Sequence, residues 1–88
     1  MKGDSKMLMQ LIGYQRIIPK AKAPFINLYT TYPKHDVNGE VAESIYIADG
    51  FPLPELKVGM HIDVDRDGGG YLIKITEGKA PVKLNVNN

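Results

Sequence analysis

The sequence contains no cysteine and no tryptophan, and only two phenylalanines among its 88 residues. Without cysteine there are neither disulfides nor thiolate metal sites, which sets the chain apart from secreted cross-linked mini-proteins and suits a reducing, cytoplasmic setting. Long apolar runs are missing as well. The stretch that starts at Met7 is broken at Gln10 and Gly13, whereas a membrane helix requires about 20 apolar residues in succession. Residues 1–6 carry two lysines and no apolar segment of signal-peptide character, and they read as a flexible N-terminus. Helical patterning is also scarce: no window of helical length keeps apolar residues at i, i+3, i+4 and i+7 without a proline or glycine intervening.

What remains is 43% hydrophobic and 24% charged, close to the average of folded domains. A chain of this length supports a single core. The net charge of +1 hides a polarity. Residues 1–34 hold Lys2, Lys6, Arg16, Lys20, Lys22 and Lys34 against Asp4 alone, a formal +5, and the remainder carries −4. Such asymmetry points to a basic face suited to phosphates.

Five segments have strand composition, each bounded by Gly, Pro, Asn or Asp: Met7–Ile18, Phe25–Tyr32, Val41–Ala48, Val58–Asp65 and Tyr71–Thr76. Asn38-Gly39 is a type I′ hairpin signal and makes the second and third segments antiparallel neighbours. The glycines at 68–70 join the fourth to the fifth. Between the third and fourth lies the longest connection, where Pro52 and Pro54 forbid a regular ladder and leave room for at most a short helical turn. Short strands with the long connection in that place predict an all-β, five-stranded antiparallel barrel of the OB type over residues 7–78. Residues 79–88 follow as a polar tail in which Val82–Val86 reads as a further edge strand.

Alternation sorts each segment into two faces. Ile45 and Ile47 point inward against Ser44, Tyr46 and Ala48; Ile26, Leu28 and Thr30 inward against Phe25, Asn27, Tyr29 and Thr31. In the fourth segment Val58, Met60, Ile62 and Val64 oppose His61, Asp63 and Asp65, and in the fifth Tyr71, Ile73 and Ile75 oppose Leu72, Lys74 and Thr76. In the first, Met7, Met9, Leu11 and Gly13 form the inner face, with Leu8, Gln10, Ile12, Tyr14 and Arg16 outside. The outer face of the first three strands therefore gathers Tyr14, Arg16, Phe25, Tyr29 and Tyr46, with Lys20, Lys22 and Lys34 in the adjoining loops. Single-stranded nucleic acid is held by this combination, because exposed bases stack on aromatic rings and cationic side chains follow the phosphates. The same rings would equally serve a protein-interaction or structural barrel that buries them against a partner.

Other chemistry is thinly represented. Asp63-Val64-Asp65-Arg66-Asp67-Gly68 matches the start of a calcium loop, but the twelfth position is Lys74 instead of a bidentate glutamate. His35 and His61 have no metal-ligand spacing, and His35 with Asp36 reads as a polar pair at a turn. The triple glycine has no GK[ST] ending. The expectation is a binding protein, not an enzyme, with no cofactor, small-molecule substrate or membrane association.

On strand order, length, the aromatic and basic outer face, and the Lys57-Val58-Gly59-Met60-His61-Ile62 approach to the fourth strand, the chain resembles the small OB-fold single-stranded-DNA-binding proteins of phages and mobile elements, the gene V type of filamentous phages in particular. The resemblance covers roughly residues 7–77. It implies a homodimer active in DNA replication that coats single strands cooperatively, DNA in preference to RNA and without sequence preference, through Tyr14, Arg16, Phe25, Tyr29, Lys34 and Tyr46.

Overall fold

The computed structural model describes residues 5–80, and their architecture is all β. Strands β1 (Ser5–Ile17), β2 (Phe25–Pro33), β3 (Glu40–Ala48), β4 (His61–Arg66) and β5 (Leu72–Glu77) form one antiparallel sheet in the order β3-β2-β1-β4-β5. The expected tail strand, Val82–Val86, and residues 1–4 lie outside the described residues. β1 begins at Ser5, two residues before the segment read from the sequence.

β1 belongs to both halves of the sheet. Its N-terminal part, Ser5 to Gln10, pairs with β4, and from Gln10 to Ile17 it pairs with β2. The sheet curls about this strand, and its concave face holds the core: Met9, Leu11, Leu28, Ile45, Ile47, Ile62, Val64 and Ile75, all buried. Thr30 is the buried polar residue among them; its Oγ1 donates to the Glu43 carbonyl at 3.0 Å, so its hydroxyl is satisfied.

The sheet is not closed into a barrel by hydrogen bonds, because β3 and β5 do not pair. Two features cover the opening. The connection from β3 to β4 contains no helix, and its Phe51, Leu53, Leu56 and Met60 pack against the core. Arg66 on β4 donates from Nη2 to Glu43 Oε2 on β3 at 3.3 Å, across two intervening strands. Both partners are partly exposed, so this pair contributes at most about 1 kcal/mol.

Two β-bulges change the faces read from strict alternation. In β1, Leu11 pairs with Thr30 and Gly13 with Tyr29, leaving Ile12 without a partner. An extra residue inverts the parity of everything beyond it. Gly13 and Gln15 consequently share the outer face with Tyr29 and Asn27, while Tyr14 and Arg16 lie opposite Leu28 and Ile26, on the concave side. In β5, Lys74 pairs with Asp65 and Leu72 with Arg66, so Ile73 is the extra residue. Leu72 packs against the core, and Ile73 is exposed. Two further residues assigned inward from the sequence, Val58 and Tyr71, are 68% and 75% exposed because Val58 lies in a turn before β4 and Tyr71 ends the loop before β5. Met7, also assigned inward, is exposed near the free end of β1.

The turns differ from the sequence reading in one place. Pro33 pairs with Glu40, so the β2–β3 loop spans residues 34–39 and is not a two-residue type I′ turn at Asn38-Gly39. Positive φ falls on Asp36 and Gly39. The Val37 amide donates to the Lys34 carbonyl at 3.1 Å, and His35 and Asp36 form an exposed pair at 3.4 Å. The β4–β5 loop is organised by Asp67, whose Oδ1 accepts from the Gly69 and Tyr71 amides at 2.9 and 3.0 Å. That carboxylate serves its own loop, and Asp65 stands opposite Lys6 and Lys74.

Candidate nucleic-acid interface

The outer face of β1, β2 and β3 is built by register. Tyr29 lies opposite Gly13 on one side and Ser44 on the other; Asn27 lies opposite Gln15 and Tyr46. Tyr29 and Tyr46 are therefore diagonal neighbours on adjacent strands, a separation of about 7 Å. They are 36% and 61% exposed. Two free ring faces at that spacing suit successive bases of an extended strand.

Each ring is held by a neighbour. The Tyr29 hydroxyl donates to Gln15 Oε1 at 3.1 Å, and Gly13, which carries no side chain, leaves the ring room: a Cβ there would sit 3.7 Å from Tyr29 Cδ2. Phe25 is half-buried, and its ring centroid lies 4.9 Å from that of Tyr46 at an interplanar angle of 41°. Such a tilted pair orients Tyr46. Phe25 thus supports a stacking platform more than it provides one. A shallow depression of about 470 Å³, lined by Ile12, Thr30, Ala42, Glu43 and Ser44, adjoins Tyr29.

The outward strand positions around these rings are uncharged. Between Phe25 and Thr31 on β2 and between Ala42 and Ala48 on β3, the outward positions are Phe25, Asn27, Tyr29, Thr31, Ala42, Ser44, Tyr46 and Ala48. Cations stand at the two ends instead. Lys20 and Lys22 are exposed in the β1–β2 loop beside Phe25, and Lys34 is exposed where β2 ends. The nine residues of β2 separate these ends by roughly 26–30 Å.

Of the eight residues singled out from the sequence, the structure brings together Phe25, Tyr29 and Tyr46, flanked by Lys20 and Lys22 at one end and Lys34 at the other. By register it puts Tyr14 and Arg16 on the opposite face from Tyr29. Tyr14 is exposed on the concave side beyond the core, and Arg16 lines a cavity of about 200 Å³ with Phe25, Asp49 and Phe51, so it stays next to one ring of the set at the edge of the sheet. The bulge at Ile12 is the reason. Sequence reasoning missed Gln15, which the same bulge brings beneath Tyr29. An isolated glycine inside a strand, here Gly13, is the signal that marks such a bulge.

No family model, curated protein or solved structure matches the chain.

Proposed function

We propose that the curled sheet is a partly open barrel of the OB type and that it binds single-stranded nucleic acid, DNA in preference to RNA, across the outer face of β1–β3. In that architecture the face of the second and third strands and the loop between the first two carry oligonucleotides. The observation that carries the proposal is the pair of exposed rings, Tyr29 and Tyr46, diagonal to one another among uncharged outward positions and flanked at both ends by lysines. Bases stack on the two rings, Asn27, Ser44 and Gln15 offer uncharged hydrogen-bonding groups between them, and Lys20, Lys22 and Lys34 meet the phosphates. The span between the lysine-bearing ends corresponds to a few nucleotides, the low end of the about 4–16 that one such barrel occupies.

Duplex DNA is a poor fit to this face. Its bases are already stacked on one another, so the rings gain nothing from it. Amide chemical shifts followed during titration with a single-stranded oligonucleotide test the placement. The largest changes are expected at Tyr29, Ser44 and Tyr46 and in the loop carrying Lys20 and Lys22, with little change at Tyr14 or along β5. Changes concentrated at Tyr14 and Arg16 would move the site to the concave rim.

A further inference from the structure

One cavity on the outer face has no part in the stacking platform. Where β1 leaves β2 to pair with β4, the surface opens into a cavity of about 260 Å³ lined by Leu8, Gln10, Thr31, Pro33, Glu40 and His61. Register explains its composition. Gln10 lies opposite Thr31 on β2 and opposite His61 on β4, so three polar side chains stand in a row across three strands. Leu8 and Pro33 are the next outward residues along β1 and β2 and supply apolar walls, and Glu40 lies opposite Pro33. The volume is below the about 300–1,000 Å³ of sites for drug-sized ligands and suits one ring system.

The polar groups restrict the occupant. The lining includes a carboxylate and neither lysine nor arginine, so it repels phosphate and favours a neutral group that donates hydrogen bonds. The Gln10 side-chain nitrogen is already engaged with the Gly59 carbonyl at 3.2 Å, which leaves its Oε1 to accept. Thr31 and His61 flank Gln10, one on each side, and each can donate. The matching ligand is planar, with adjacent donors on one edge and acceptors on another. Guanine alone among the four DNA bases meets this description, with N1–H and the N2 amine on one edge and O6 and N7 on the other.

The cavity also lies on the path of the proposed strand. Thr31 is two residues beyond Tyr29 on the same face of β2, about 7 Å away. Lys34 lines a neighbouring cavity that shares Leu8 and Pro33 with this one, which places a cation beside it for the flanking phosphate. We infer that this cavity takes one guanine base of a bound single strand, with the Glu40 carboxylate accepting from N1–H and the N2 amine. The inference rests on the single-strand reading above.

The test compares labelled all-thymidine oligonucleotides with the same oligonucleotides carrying a central guanine or a central inosine, by fluorescence anisotropy, on the intact chain and on Glu40→Gln. Guanine is expected to raise affinity by about fivefold, the lower end of a bidentate base contact because Glu40 is exposed. Inosine, which lacks the N2 amine, should lose most of that gain. Glu40→Gln should erase the preference without weakening all-thymidine binding, since it removes a charge that repels phosphate. Equal affinity for thymidine and guanine oligonucleotides, or a preference that survives in Glu40→Gln, would overturn the inference and leave the stacking platform standing. Binding of free guanosine monophosphate without any guanine preference in oligonucleotides would replace it with a free-nucleotide site. Failure of every oligonucleotide to bind at low salt would overturn the single-strand reading itself, and this inference with it.

Discussion

Alanine at both Tyr29 and Tyr46 is expected to weaken single-strand binding by about 30-fold or more, since each stacked base is worth about 1–3 kcal/mol and every 1.4 kcal/mol is a factor of ten. Both side chains project from the outer face, Tyr46 at 61% exposure, so the loss falls on binding more than on folding. The double leucine variant separates the two meanings that exposed rings can have. Leucine keeps apolar bulk and removes the π-face. If the rings act by stacking, Tyr29→Leu with Tyr46→Leu loses nearly as much affinity as the alanine pair, and the phenylalanine pair retains most of it. If the rings instead bury apolar area against a protein, leucine preserves the interaction. Anisotropy titrations of the four proteins, with circular dichroism establishing that each is folded, measure the difference.

The second large effect falls on stability. Leu28→Ala is expected to cost about 3 kcal/mol, within the range for truncating a fully buried leucine and leaving a cavity behind. Leu28 is 0% exposed, at the centre of β2, and shares one core with β1, β3, β4 and β5. A domain of this size has about 5–13 kcal/mol in all, so the loss is a large fraction of the total and lowers Tm by roughly 12–24 °C. Val58→Ala is the matched control. Strict alternation back from Ile62 places Val58 in the core, but its 68% exposure in the turn before β4 predicts a change within about 0.5 kcal/mol. Thermal denaturation of the two variants distinguishes the inward-facing set seen in the fold from the one that periodicity alone suggests.

The reasons for that difference are local. The alternation of Ser44, Ile45, Tyr46 and Ile47 is uninterrupted, and β3 has the faces its sequence announces. The same holds along β2, where Leu28 and Thr30 are buried and Tyr29 is not. Period-two reasoning fails where one residue is added without any change in composition. Ile12 is as good a strand residue as its neighbours, yet it has no cross-strand partner, and this single insertion puts Tyr14 and Arg16 on the face opposite Tyr29. Ile73 does the same beside Leu72, a pair of adjacent apolar residues that offers either one to the core. Asn38-Gly39 carries the composition of a tight turn, but the pairing of Pro33 with Glu40 extends the loop to six residues, with positive φ at Asp36 and Gly39 and not at Asn38. The cavity at Gln10, Thr31, Glu40 and His61 was beyond sequence reasoning for a further reason: its residues come from four strands and meet only because β1 changes partners at Gln10.

Charge enters the account in a way the overall +1 conceals. With Arg16 on the concave face by register, where it lines a cavity with Asp49 and Phe25, the cations assigned to the proposed face are Lys20, Lys22 and Lys34. Three phosphate contacts on a single strand correspond to a slope of log affinity against log salt of about −2. That makes binding strong only at low ionic strength and dependent on stacking for the rest.

The most direct test of single-strand binding is therefore an anisotropy titration of a mixed-sequence single-stranded oligonucleotide at several salt concentrations, with duplex as competitor. The account predicts binding that weakens with salt at a slope of about −2 and that duplex fails to displace. Binding that is absent at low salt, or that duplex displaces as readily as single strand, would contradict it.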